Sequence, residues 1–390
     1  MEVSLDRRGS VAGLCSPRSR AVVRIAFALL TALGFFSASL MAQQASSPLV
    51  SEPSVAPAID GVMSAFQTHR LVGICDWHGL AQQEDFYIDL IRDPRFAKEV
   101  GNVVVEFGGA AQQETIDQYT DGKEIPYERL RRVWNETVGW IPTVTRLGYL
   151  NFFAQVRAVN QNLKPADRIH VWLGNPPIDW STIKNRDEAL QIVHQTDRYP
   201  ANLIKTQILE KGKKALVIYG SAHFYEEGTI KSMVEASYPK AFFMVTPYVG
   251  FIEKTCSDSF EETHRQWPRQ TLLTPVRGTE LQGQLQAAGC HFFPGFTFTA
   301  SVSQSERAKA LADMENETSG VDGDALLYLG RAATLTESQT IPDLYLDERF
   351  RNEINRRRIL MSGKPLTLST PLMSPAYIHP YGTTVPDTQK

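Results

Sequence analysis

The sequence predicts an α/β fold: one domain with a mainly parallel central sheet, flanked by helices, and a site at the carboxyl edge of the strands. Three observations carry this. Short, continuous apolar runs recur along the chain. Longer segments with apolar residues at helical spacing separate them. Histidines and acids fall just past the ends of the runs.

The runs are RLVGIC (70–75), NVVVEF (102–107), RIHVWLG (168–174), ALVIYG (215–220), AFFMVTP (241–247) and DALLYLG (324–330). They are continuous rather than alternating, as expected of parallel strands covered on both faces. Between them, YERLRRVWNETV, RLGYLNFFAQVRAVNQNL and EALQIVHQTDRYPANLIKTQILEKG repeat apolar residues at helical spacing. Strands alternating with helices build a doubly covered sheet.

The 390 residues suffice for a substantial core. Apolar residues make up 43%, charged residues 21%, and the net charge is -3. No basic excess marks a nucleic-acid surface, and no acidic block marks a disordered tail.

The N-terminus differs. Arg7, Arg8, Arg18, Arg20 and Arg24 precede IAFALLTALGFFSASLMA, which exits through small residues. This predicts a secretory signal over 1–45, cleaved after Ala42 or Ala45, and an exported protein, periplasmic or secreted. An uncleaved membrane anchor is the competing reading. A Ser- and Pro-rich linker follows over 46–58, the domain spans 59–362, and 363–390 is a Pro-rich tail. Cleavage leaves Cys75, Cys256 and Cys290. Cys75 sits at a strand end expected to be buried, so Cys256 and Cys290 are the expected pair.

In open α/β sheets, sites lie outside the carboxyl ends of the strands. There the sequence places Asp76 and His78 after the first run, Glu106 at the end of the second, Asn175 and Asp179 after the third, and His223 after the fourth. A carboxylate closing VVVE borders the core and demands a partner. Asp76 has two readings, site acid or helix cap, and Asp179 reads as a cap. Arg157 and Asn160 lie three apart on one helix. Arg157 is open between pairing with Glu106, binding an anionic group and being an ordinary surface charge. His170, within a strand, is structural.

The G-x-x-D-x-H turn (73–78), the strand ending in Glu106 and the G-x-x-H of 220–223 resemble the superfamily of erythromycin esterase-like enzymes, ChaN-type haem-binding lipoproteins and Tiki/TraB proteins. The D-x-Y-x-x-G segment (117–122) and VRAVN (156–160) resemble it too, and the similarity spans roughly 70–245. Two positions depart from the pattern. Asp76 replaces the usual Glu, and Thr196 stands before Asp197 where Arg is usual.

The resemblance implies a hydrolase of ester-type small molecules. His78 is then the general base, neutral at pH 7. Glu106 orients it, and His223 stabilises the oxyanion or leaving group. Asp76, Arg157, Asn160 and Asp197 support them. A metal-dependent variant makes His78, Glu106 and His223 ligands of zinc or manganese. The alternative is a haem or cofactor-binding envelope protein with an axial histidine. Haem is the weaker cofactor reading, since no C-x-x-C-H attachment motif is present. The expected partner is a small-molecule substrate, with no nucleic acid, and a membrane only if the N-terminal segment stays uncleaved.

Overall fold

A computed structural model of the chain describes residues 52–138, 145–292 and 323–366. The signal segment and most of the tail lie outside them. The described residues belong to one compact unit, Leu49–Lys390, and form an eight-stranded sheet. In chain order the strands are β1 (Ser54–Pro57), β2 (Leu71–Cys75), β3 (Asn102–Gly109), β4 (His170–Asn175), β5 (Ala215–Tyr219), β6 (Phe242–Tyr248), β7 (Thr271–Thr274) and β8 (Ala325–Tyr328). Their spatial order is β1-β7-β8-β6-β2-β5-β3-β4. The run from β8 to β4 is parallel, while β7 pairs antiparallel with both β8 and β1.

The continuous apolar runs have a simple cause. Side chains alternate between faces along a strand, and both faces here are covered. Val72 and Ile74 of β2, with Val103 and Val105 of β3, pack under helices Ala58–Thr68, Ala81–Arg92 and Leu147–Asn160. Leu71 and Cys75 pack on the opposite face with Val104, Val217, Ile204, Ile230 and Val234. Each strand therefore needs apolar residues at odd and even positions alike.

Two elements differ from the sequence expectation. The linker does not extend to Ala58. Ser54–Pro57 adds an edge strand, with Val55 opposite Leu273 and Ser54 Oγ bonded to the Thr274 carbonyl at 2.7 Å. Pro57 is tolerated there because the outer side of an edge strand needs no donor. The long helical segment over 188–212 is broken into Arg186–Val193, Arg198–Leu203 and a π-helical turn, Ile204–Leu209. Pro200 explains the restart, since proline is tolerated only in a helix's first turn. Helix Glu348–Ser362 ends at Gly363, whose φ of 70° closes it in the left-handed region.

After β2 the chain moves outward to β3 and β4, returns to β5 between β2 and β3, then leaves to β6 on the other side of β2. The direction of winding reverses there, which opens a crevice at the carboxyl ends of β2, β5 and β3. Among the described residues, no helix is long and apolar enough to cross a membrane.

Candidate active site

Three adjacent strands deliver the three central residues. His78 follows β2, Glu106 lies near the end of β3, and His223 follows β5 between them. His78 Nε2 faces Glu106 Oε2 at 3.6 Å, and His223 Nε2 faces Glu106 Oε1 at 3.5 Å. The other ring nitrogens are also occupied. His78 Nδ1 meets Asp76 Oδ2 at 2.8 Å, and His223 Nδ1 meets Asp197 Oδ1 at 2.9 Å. The result is one line of alternating groups, Asp76–His78–Glu106–His223–Asp197.

Local backbone geometry makes this possible. The Asp76 N–H donates to the Tyr219 carbonyl at 2.7 Å, extending the β2–β5 ladder past Cys75. Gln83 then holds the turn: its Nε2 donates to the Cys75 carbonyl and its Oε1 accepts from the Trp77 N–H, both at 2.8 Å. Gly79 follows at φ 87°, a conformation that favours glycine, and the helix starts at Ala81. On β5's exit, the Gly220 N–H donates to Glu106 Oε2 at 2.8 Å. A Cβ on Gly220 would stand 3.2 Å from His78 Nε2, so a larger residue would crowd the contact between the two groups.

Asp76 is the anchor. Its side chain is 1% exposed. Tyr87 donates to Oδ1 at 2.9 Å and Tyr149 donates to Oδ2 at 2.6 Å. It caps no helix, the next one starting after Leu80, and its side chain turns to His78 instead. Burying a carboxylate requires such donors. Tyr149 in turn stacks on Phe107 with centroids 4.3 Å apart.

Charge follows from this arrangement. Burial works against the His78 imidazolium, but the Glu106 charge and the Asp76 hydrogen bond outweigh it and raise its pKa to about 9. His223 is buried too, and Glu106 with the Asp197 hydrogen bond lifts it to about 10. Burial alone would raise Glu106, yet the two imidazoles and the Gly220 N–H hold it down at about 2. Flanked by two carboxylates, His78 is thus biased toward the imidazolium rather than the neutral ring. The side chains are 27% exposed for His78, 17% for His223 and 14% for Glu106.

Two expected supporting residues lie elsewhere. Arg157 does not reach Glu106. Its guanidinium donates to the carbonyls of Tyr119, Lys123 and Gly122 at 2.6–2.8 Å and clamps that turn. Asn160 is a second clamp, with Nδ2 on the Ile169 carbonyl at 2.9 Å and Oδ1 accepting from the Ile169 N–H at 2.8 Å. Both serve the D-x-Y-x-x-G turn and the entry to β4, because a turn of successive exposed carbonyls needs donors. Asp197 does join the site, and it also accepts the Ile230 N–H at 3.1 Å. Thr196 bonds the Val193 carbonyl at 2.8 Å and closes the preceding helix. Asp179 caps no helix: it holds a local turn by accepting the Ser181 N–H, the next helix starts at Arg186 with Asn185 as its cap, and Asn175 accepts the Val138 N–H at 2.8 Å.

Among the described residues no group of three His, Cys, Asp or Glu is placed to hold a metal ion. The Nε2 atoms of His78 and His223 face the Glu106 oxygens at 3.6 and 3.5 Å, and each Nδ1 is held by an aspartate, the support that a metal-bound imidazole also has.

Tyr87, Tyr149 and Gln83 were not legible as site residues. Only Tyr87 carries a signal: its hydroxyl falls on a helix face shared with Phe86, Leu90 and Ile91, and a buried phenol seeks an acceptor.

No family model matches the chain, and no curated protein matches it. Among solved structures, a Bacillus cereus protein is 12% identical, with 74% of this chain and 97% of that chain covered at a TM-score of 0.51. The likeness is one of fold. The type III effector HopBA1 is 14% identical, with 52% of this chain and 88% of that chain covered at a TM-score of 0.33.

Proposed function

We propose that the protein is an exported hydrolase of small ester-type substrates, with the Asp76–His78–Glu106–His223–Asp197 line as its proton-handling machinery. The observation that carries the reading is this alternation of acid and imidazole at the carboxyl edge of the sheet. The resemblance of the 73–78, 103–122 and 220–223 motifs to the erythromycin esterase-like superfamily supports the ester class.

Both imidazoles hold a proton in the resting site, and they share one carboxylate. Loss of the first proton, from His78, leaves one base and one acid on either side of Glu106 and tightens the hold on the second. In that form His78 Nε2 takes a proton from water as the oxygen attacks the acyl carbon. The tetrahedral intermediate then collapses, and His223 gives its proton to the departing alkoxide oxygen. An ester and a water become an acid and an alcohol. Asp76 and Asp197 fix the ring orientations and stabilise each imidazolium, the part a buried acid plays behind a catalytic histidine.

The test is a panel of simple carboxylic esters assayed from pH 6 to pH 11. Because the active form has His78 free and His223 protonated, kcat/KM should rise to about pH 9 and fall above about pH 10. A flat profile on a substrate that is turned over would remove the imidazole pair from the chemistry.

A further inference from the structure

A second cavity, of about 640 Å³, lies between helices Ala81–Arg92, Tyr127–Asn135 and Leu147–Asn160 and the 336–339 segment. None of the five groups of the proton-handling line belongs to its wall. The volume falls within the range of roughly 300–1,000 Å³ typical of small-molecule sites. Four aromatic side chains contribute to it: Tyr119, Tyr127, Trp134 and Phe153. Its described wall carries three acids, Glu84, Asp85 and Glu337, and no lysine, arginine or histidine. Glu337 is already paired with Arg146 at 3.0 Å.

Glu84 is the telling residue. It is 3% exposed, and its Oε1 has no hydrogen-bond partner. Burial drives its pKa up to about 8, with the Asp76 charge acting the same way against a Ser338 hydrogen bond and the Arg146 charge, so the carboxyl holds a proton that a bound ammonium group must displace. A buried carboxyl with an unspent acceptor costs stability unless something completes it. A cation is the partner that would do so best, and aromatic faces are the surroundings that hold an organic cation.

From the unpartnered Glu84 oxygen, the aromatic side chains and the absence of bases from the described wall, we infer that this cavity binds a small organic amine. Its apolar body rests on the aromatic side chains and its ammonium group pairs with Glu84. The site is separate from the proposed hydrolase centre and does not depend on that reading.

Calorimetric titration of the purified protein with phenethylamine tests the inference. Phenethylamine should bind saturably at one site. The neutral 2-phenylethanol should bind at least about tenfold more weakly, the share of a charge-assisted hydrogen bond. Glu84→Gln should lose amine binding to the same degree. Because Glu84 is buried, thermal melts must show the variant folded, and Ala154→Trp, which fills the cavity from its wall, should abolish binding independently. The inference is overturned if wild type takes up no phenethylamine, if the alcohol binds equally well, or if the folded variants bind the amine as wild type does.

Discussion

Tyr149 donates its hydroxyl to Asp76 Oδ2 at 2.6 Å, joining groups 73 positions apart. That bond lets a carboxylate stay buried behind His78. Tyr149→Phe keeps the ring and its stacking on Phe107 but removes the donor. Hydrogen bonds to charged groups contribute about 1.5–3 kcal/mol, so chemical denaturation should show a loss of that size. Ester turnover should fall as well, since His78 loses its fixed orientation. An unchanged denaturation midpoint would show that Asp76 does not need this donor.

Glu106 sets the charge of both imidazoles. In Glu106→Gln the shared carboxylate is gone, and the pKa values of His78 and His223 should both fall toward the ordinary imidazole value of about 6.5. Imidazole resonances followed through a pH titration by NMR measure this directly. Two unmoved titrations would mean that the line of groups is not electrostatically joined.

Stability should decline on both sides of a plateau between about pH 4.5 and about pH 6.5. His78 and His223 have folded pKa values above their unfolded ones. Their contribution is full below about pH 6.5 and is lost as pH rises through about 9 to 10, because the folded state then holds protons the unfolded state has released. Glu106 is displaced the other way. Its contribution is present above about pH 4.5 and is lost as pH falls toward about 2, because there the unfolded state binds the extra proton. Thermal melts across this range should peak between these limits, and Glu106→Gln should flatten both flanks. A variant with the wild-type pH dependence would place its cause elsewhere.

Cys256 and Cys290 form a disulfide across 34 positions, and Cys75 stays a buried thiol. Closing a loop of that length contributes about 3–4 kcal/mol in the chain-entropy model. Reduction should lower the melting temperature by the corresponding amount. Protein lacking residues 1–45 should show one free thiol when denatured without reductant; three would contradict the bridge.

Much of this was open to sequence reasoning because it rests on local rules. Continuous apolar runs marked the buried strands, and glycines beside His78 and His223 marked the turns out of them. β1 and β7 escaped because Ser54–Pro57 and Thr271–Thr274 hold only two central apolar residues between polar residues or proline, whereas the equally short Ala325–Tyr328 is apolar or aromatic throughout. Arg157 was misplaced for a different reason. A helical arginine reaches several ångströms in any direction, and which carbonyls it finds is decided by how distant segments pack. Tyr149 was hidden likewise, since its partner lies on the other side of a helix–sheet interface. The protonation of His78 also needed the structure, because it depends on Glu106 and Asp76 both standing within 4 Å of one ring.

The most direct test of the central claim is ester turnover per folded molecule in His78→Gln against wild type, on a substrate wild type hydrolyses. Folded fractions should be fixed by circular dichroism at the assay temperature. General-base catalysis contributes about 100- to 10,000-fold, and the variant should lose that much while remaining folded. Full turnover by the folded variant, or no hydrolysis of any ester by wild type, would contradict the account.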